Sequence, residues 1–154
     1  MALTAKVKDE LSRVAAGRQS ARAAETAALL RFAGQMQAVA GRLVIEVELD
    51  SAGVAQRLRD SLTELYGVDV HAHTIGPGGT SKNTRHLLRV TEGAEDLTRR
   101  LGLVTRSGHP VVGLPPQVIS GTVADSEAAW RGAFLAHGTL TEPGRSSSLE
   151  VACP

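Results

Sequence analysis

The sequence is short of several things, and each shortage removes a class of function. Cys153 is the only cysteine among 154 residues. That excludes a disulfide within the chain and any zinc site built on several cysteines, and it fits a reducing compartment. Aromatic residues make up 3% of the chain: Phe32 and Phe134, Tyr66 and Trp130. A surface that stacks successive nucleic-acid bases on aromatic rings is therefore not available. Charge of one sign is lacking as well, with 17 basic residues against 16 acidic ones and a net charge of +1. Bulk electrostatics do not mark a strong polyanion binder, although a local patch remains open. No apolar run approaches the ~18 residues of a membrane span. Lys6, Lys8, Asp9 and Glu10 stand where a signal peptide keeps its apolar core. These features together point to the cytoplasm.

What is present is aliphatic. Hydrophobic residues make up 42% of the chain and charged residues 21%. That is ordinary for one globular domain with a sizeable core of Leu, Val, Ile and Ala.

The organising stretch is Trp130-Arg131-Gly132-Ala133-Phe134-Leu135-Ala136-His137-Gly138. Gly132 and Ala136 lie four apart, share a helix face, and leave a smooth groove for a second helix. The matching partner is Ala27-Ala28-Leu29-Leu30-Arg31-Phe32-Ala33-Gly34, which places Ala28 at the same packing surface.

Along the chain, residues 4–16 read as a helix with Val7, Leu11 and Val14 on one face, capped by Thr4 and ended by Gly17. Residues 21–37 form the first strong helix. Arg42–Leu49 alternates as a strand, with Leu43, Ile45, Val47 and Leu49 on one face. Asp50 or Ser51 caps a helix whose stripe is Val54, Leu58, Leu62 and Leu65, closed by Gly67. Residues 68–74 and 85–91 read as strands of a hairpin joined by a long Gly- and Pro-rich loop. Residues 93–102 form a short helix. Residues 103–122 read as an irregular connection crossing to a second unit. Asp125 opens the second strong helix, and residues 147–152 form a strand. Both strong helices are Ala-rich, run into a Gly, and are followed by a charged strand. The order gives an α+β chain with one complete unit and the start of another.

The two helix stretches resemble the paired helices of the LAGLIDADG homing-endonuclease fold. Arg131-Gly132-Ala133-Phe134-Leu135-Ala136, running on to Ser146-Ser147-Ser148-Leu149-Glu150-Val151, is similar to the WhiA family of transcription regulators in Gram-positive bacteria. The likeness extends to Thr4-Ala5-Lys6-Val7-Lys8-Asp9-Glu10-Leu11, to Leu30-Arg31-Phe32-Ala33-Gly34 and to Gly113-Leu114-Pro115-Pro116-Gln117-Val118.

The resemblance implies LAGLIDADG-like αββαββα units in pseudo-twofold arrangement. They divide here into an N-terminal helix over 1–20, a first unit with its crossing linker over 21–123, and a truncated second unit over 124–154. It implies a role in sporulation and cell division, promoter DNA held by a helix-turn-helix domain absent from this sequence, and a WhiB-type iron-sulfur regulator and the transcription machinery as partners. It also implies a nucleoid-associated location in the cytoplasm. No cofactor is expected.

Homing endonucleases keep a metal-binding carboxylate just before the final Gly of each paired helix. The matching positions here are Ala33 and His137, so the acids are degenerate and no catalysis is expected. The exposed sheet face carries Arg42, Glu46 and Glu48, then Asp69, His71 and His73, then Arg85 and Arg89: three arginines against three carboxylates. A saddle for duplex DNA should be clearly positive. The balance favours protein contacts, with nucleic-acid contact through Lys82, Arg85 and Arg89 as the alternative. His71 and His73 have ligand spacing but lack a third soft ligand. The loop from Gly76 to Lys82 lacks phosphate-loop spacing.

Overall fold

The computed structural model describes residues 2–15, 17–76, 84–141 and 148–152. Two helices form its centre, α2 (Gln19–Ala33) and α6 (Val123–His137). They run parallel. Near their N-termini the Ser20 hydroxyl donates to Asp125 Oδ1 at 2.8 Å, and further along Arg131 pairs with Glu25. Their facing residues are small, as close approach requires. Ala28 is fully buried, and a Cβ placed on Gly132 would overlap the backbone carbonyl oxygen of Glu25.

From α2 the chain passes straight into β1 (Gly34–Val39), which pairs antiparallel with β2 (Arg42–Leu49). There follow α3 (Ala52–Tyr66), β3 (His71–Ile75), β4 (Arg85–Val90) and α4 (Ala94–Leu101). This is an αββαββα unit. Its sheet has the order β1-β2-β4-β3, so both edges are hairpin strands. Alternation puts Ile45, Val47 and Leu49 of β2 and Leu88 and Val90 of β4 in the core. Against them pack Val54, Leu58 and Leu62 of α3 and Leu97 and Leu101 of α4, all buried. Each such leucine is worth about 1.5–3 kcal/mol of burial. Ser51 caps α3 by accepting from the Val54 N–H at 3.3 Å, and Gly67 ends it in the left-handed region.

The second unit begins with α6 and continues into β5 (Gly138–Leu140) and β6 (Leu149–Val151). It repeats the first at a constant offset of 104 positions. Residues 19–33 map onto 123–137, and the pairs Gly34↔Val47 and Met36↔Ile45 map onto Gly138↔Val151 and Leu140↔Leu149. Ala28 and Gly132 are therefore equivalent positions, as are Ala33 and His137.

Several expectations need correction. The helix expected over 21–37 stops at Ala33, and Gly34 begins an additional strand. Gly34 has extended backbone, and a Cβ there would sit 2.5 Å from the Leu30 carbonyl oxygen; the helix-to-strand transition needs glycine. The first helix, α1, is Ala2–Leu11, ending well before Gly17. Thr4 is not its cap: its hydroxyl lies against β5, accepting from the Leu140 N–H at 3.1 Å. The strand expected over 68–74 is shifted to His71–Ile75.

The 103–122 connection is more regular than expected. Val104 and Pro110 bridge across a tight turn, and α5 (Pro116–Ile119) is one helical turn. Arg31 Nε donates to the Gly113 carbonyl at 2.9 Å and Gln117 Nε2 to that of Arg100 at 3.1 Å, lashing the connection to the first unit. Helix α6 starts at Val123. Thr122 is its cap, and Asp125 closes a capping box rather than opening the helix. The last strand is confined to Leu149–Val151, and residue 147 lies outside the described residues.

Candidate functional site

Two features are candidates: the paired ends of α2 and α6, and the outer face of the four-stranded sheet. Both helices finish on an extended glycine whose N–H still bonds back into the helix, Gly34 to Leu30 and Gly138 to Phe134. The residues just before them, Ala33 and His137, are equivalent positions of the repeat. Ala33 is half-buried and offers no ligand atom; His137 is exposed. One imidazole and no carboxylate do not fit the oxygen-seeking divalent cation that the endonuclease chemistry uses. Among the described residues no three of His, Cys, Asp and Glu cluster at metal-binding distance.

Beneath these ends, Glu25 is 4% exposed and sits between two arginines. Arg57 of α3 grips it with both prongs, Nε to Oε2 at 2.6 Å and Nη2 to Oε1 at 2.9 Å. Arg131 of α6 pairs with Oε1 from the other side. Arg57 also donates through Nη1 to the carbonyls of Ser12 at 3.1 Å and Val14 at 2.6 Å, just past the end of α1. One carboxylate thus ties α2 to α3 and α6, and through Arg57 to the chain following α1. Nothing in the sequence singled out Glu25, because a lone acid in an Ala-rich helix looks like a solvated position.

At the opposite end of α6, Asp125 is nearly buried. It accepts from the Thr122 N–H at 3.0 Å and from Ser20. These bonds, the backbone one first, hold its carboxyl below the usual carboxylate range.

On the outer sheet face, register sets the neighbours. Glu46 of β2 lies opposite Arg89 of β4, which lies opposite His71 of β3. Arg89 Nη2 donates to Glu46 Oε1 at 2.7 Å, and Arg85 Nη1 lies 2.5 Å from Glu48 Oε1. His73 is on the same face opposite Leu87. Both β4 arginines are thus engaged by glutamates of β2. Asp69 precedes β3, and Lys82 lies outside the described residues. His71 and His73 share a face, without a third ligand within the described residues.

The chain matches two family models: the WhiA N-terminal LAGLIDADG-like domain over residues 19–104 and the WhiA LAGLIDADG-like domain over residues 126–154. The boundary between them falls in the connection that precedes α6. Among curated relatives, the probable cell division protein WhiA of Corynebacterium efficiens is 63% identical over the whole chain, and that of Nocardia farcinica is 55% identical. The chain spans 47% of the length of each. Among solved structures, the N-terminal LAGLIDADG domain of WhiA shares the fold with a TM-score of 0.65 at 19% identity, covering 97% of this chain and 65% of that one. Full-length WhiA from Thermatoga maritima does so with a TM-score of 0.61 at 18% identity, covering 90% and 40%. With a family model spanning more than half its length and relatives that match the whole of this chain, the chain belongs to the WhiA family.

Proposed function

We propose that this chain is a non-catalytic N-terminal domain of a WhiA-like bacterial transcription regulator acting on sporulation and cell-division genes. It works mainly through protein contacts in the cytoplasm, close to the nucleoid, while promoter DNA is held by a helix-turn-helix domain of the longer protein. A WhiB-type iron-sulfur regulator and the transcription machinery are the partners this reading assigns. The observation that carries it is the pairing of Arg89 with Glu46 and of Arg85 with Glu48. A face on which Arg85 and Arg89, two of its three arginines, are already paired with glutamates gains less from releasing phosphate counterions. Ala33 and His137 support the non-catalytic part, since they supply no carboxylate at the helix ends.

Incubation with supercoiled plasmid and magnesium tests the absence of nuclease chemistry. No nicking above buffer is expected. Nicking that disappears in His137→Ala would overturn the reading. The other reading, a DNA-binding module in its own right, draws on Arg85 and Arg89 sharing one face with His71 and His73. A promoter titration separates the two.

A further inference from the structure

The outer sheet face carries groups whose charge depends on pH. Of the five histidines, His71 and His73 lie on that face, and both are exposed. His86 shares the other face with Leu88 and Val90, His109 lies in the connection before α5, and His137 ends α6. Histidine is the side chain that changes charge between about pH 5 and 8. With both imidazoles neutral, the three arginines of the face, Arg42, Arg85 and Arg89, balance the three carboxylates Glu46, Glu48 and Asp69. With both protonated, the face gains two positive charges, while the carboxylates stay ionised down to about pH 5.

Register decides what those protons meet. His71 lies directly opposite Arg89, which Glu46 holds from its far side. On its own strand His71 is flanked by Asp69 and His73. His73 lies opposite Leu87, with Arg85 and Arg89 at its diagonals and Glu48 beyond Leu87. Among the described residues β3 is an edge strand, so β4 is its one neighbour in the sheet. Like charges directly across a strand pair repel. Protonated His71 beside Arg89 is therefore favoured by an anion lying over both, and Glu46 is already engaged on the other side of Arg89.

We propose that this face is a proton-gated surface for the phosphate backbone of duplex DNA, without affinity at neutral pH and binding once His71 and His73 are protonated. The proposal rests on the functional reading given above, in which the face is balanced at neutral pH. Proton uptake and duplex binding then favour each other, because each supplies the charge that the other needs.

Fluorescence anisotropy of a mixed-sequence duplex, titrated with the full 154-residue chain at several salt concentrations near pH 7.5 and near pH 5.5, tests it. Binding should be roughly tenfold or more tighter at the lower pH. The slope of log K against log salt should steepen there by about 2, for two more phosphates neutralised. His71→Gln/His73→Gln, neutral at both pH values, should lose both effects, and His109→Ala/His137→Ala should keep them. His71→Lys/His73→Lys should bind at neutral pH as the parent does in acid. Because the lysine variant is read at neutral pH, it decides the matter even where acid unfolds the chain: no gain over the parent overturns the proposal. Weak binding at both pH values, or a gain in acid that the glutamine variant keeps, overturns the proposal alone. Tight binding at neutral pH that Arg85→Ala or Arg89→Ala abolishes overturns the functional reading, and the proposal with it.

Discussion

At the residue scale, the fold turns on Glu25. A carboxylate this deep in a protein is tolerable only because Arg57 and Arg131 meet it with good geometry and satisfy its oxygens. Removing the acid strands two largely buried guanidinium groups. Glu25→Ala should lower the unfolding free energy in urea by about 3–5 kcal/mol. A loss below about 1 kcal/mol, the usual worth of an exposed pair, would show that the triad is a surface pair in solution. Gly132 makes the second prediction. Any side chain there meets the Glu25 carbonyl, so Gly132→Ala should cost about 1–3 kcal/mol even though alanine is the better helix former. An unchanged or raised melting temperature would mean that the helices are further apart. Ala28, its repeat equivalent, shows that a methyl group is accepted on α2 but not at the point where α6 presses on it.

At the element scale, the turn of the first hairpin is under strain. Ala40 and Gly41 link Val39 to Arg42, both with positive φ, at 52° and 78°. That is the backbone of a two-residue hairpin turn, and it suits Asn-Gly far better than Ala-Gly. A left-handed alanine costs about 1–2 kcal/mol, so Ala40→Asn should raise stability by roughly half that or more. No gain in the urea midpoint would count against the turn as described.

The same local chemistry explains what the sequence hid. Gln35, Met36, Gln37 and Ala38 are all good helix formers, and β1 is exposed along its length apart from half-buried Gly34. With no burial alternation and no Asn-Gly turn, the segment reads as more helix; only the family likeness implied the extra strand. By contrast, α3 was plain. Its leucine stripe, its Ser51 cap and Gly67 all point to one answer. Thr122 was missed as a cap because Asp125, three residues on, is also a good capping residue, and the capping box uses both. Asp125 gives this scale its pH test. Its folded pKa lies below the ordinary 3.8, so its contribution is present above that value and is lost as pH falls through the folded one. Asp125→Asn should therefore show a shallower loss of stability with acid than the parent in melts taken below pH 4. Parallel acid limbs would remove Asp125 as a stabilising carboxylate.

At the scale of the whole molecule, the two units share a scaffold but not their chemistry. Positions that match across the repeat have diverged: Glu25 against Ala129, Thr26 against Trp130, Ala33 against His137. The helix pair was legible in sequence through its small residues. The sheet face was legible as a charge balance, but the pairing of Arg85 with Glu48 and of Arg89 with Glu46 was not, because it depends on a register that sequence alternation leaves open. The proposed function leans on that pairing. The direct test is a titration of promoter duplex with this chain, followed by fluorescence anisotropy at two salt concentrations. The account predicts weak binding at both, little changed by Arg85→Ala or Arg89→Ala. Submicromolar binding that falls steeply with salt and is lost in those variants would contradict it.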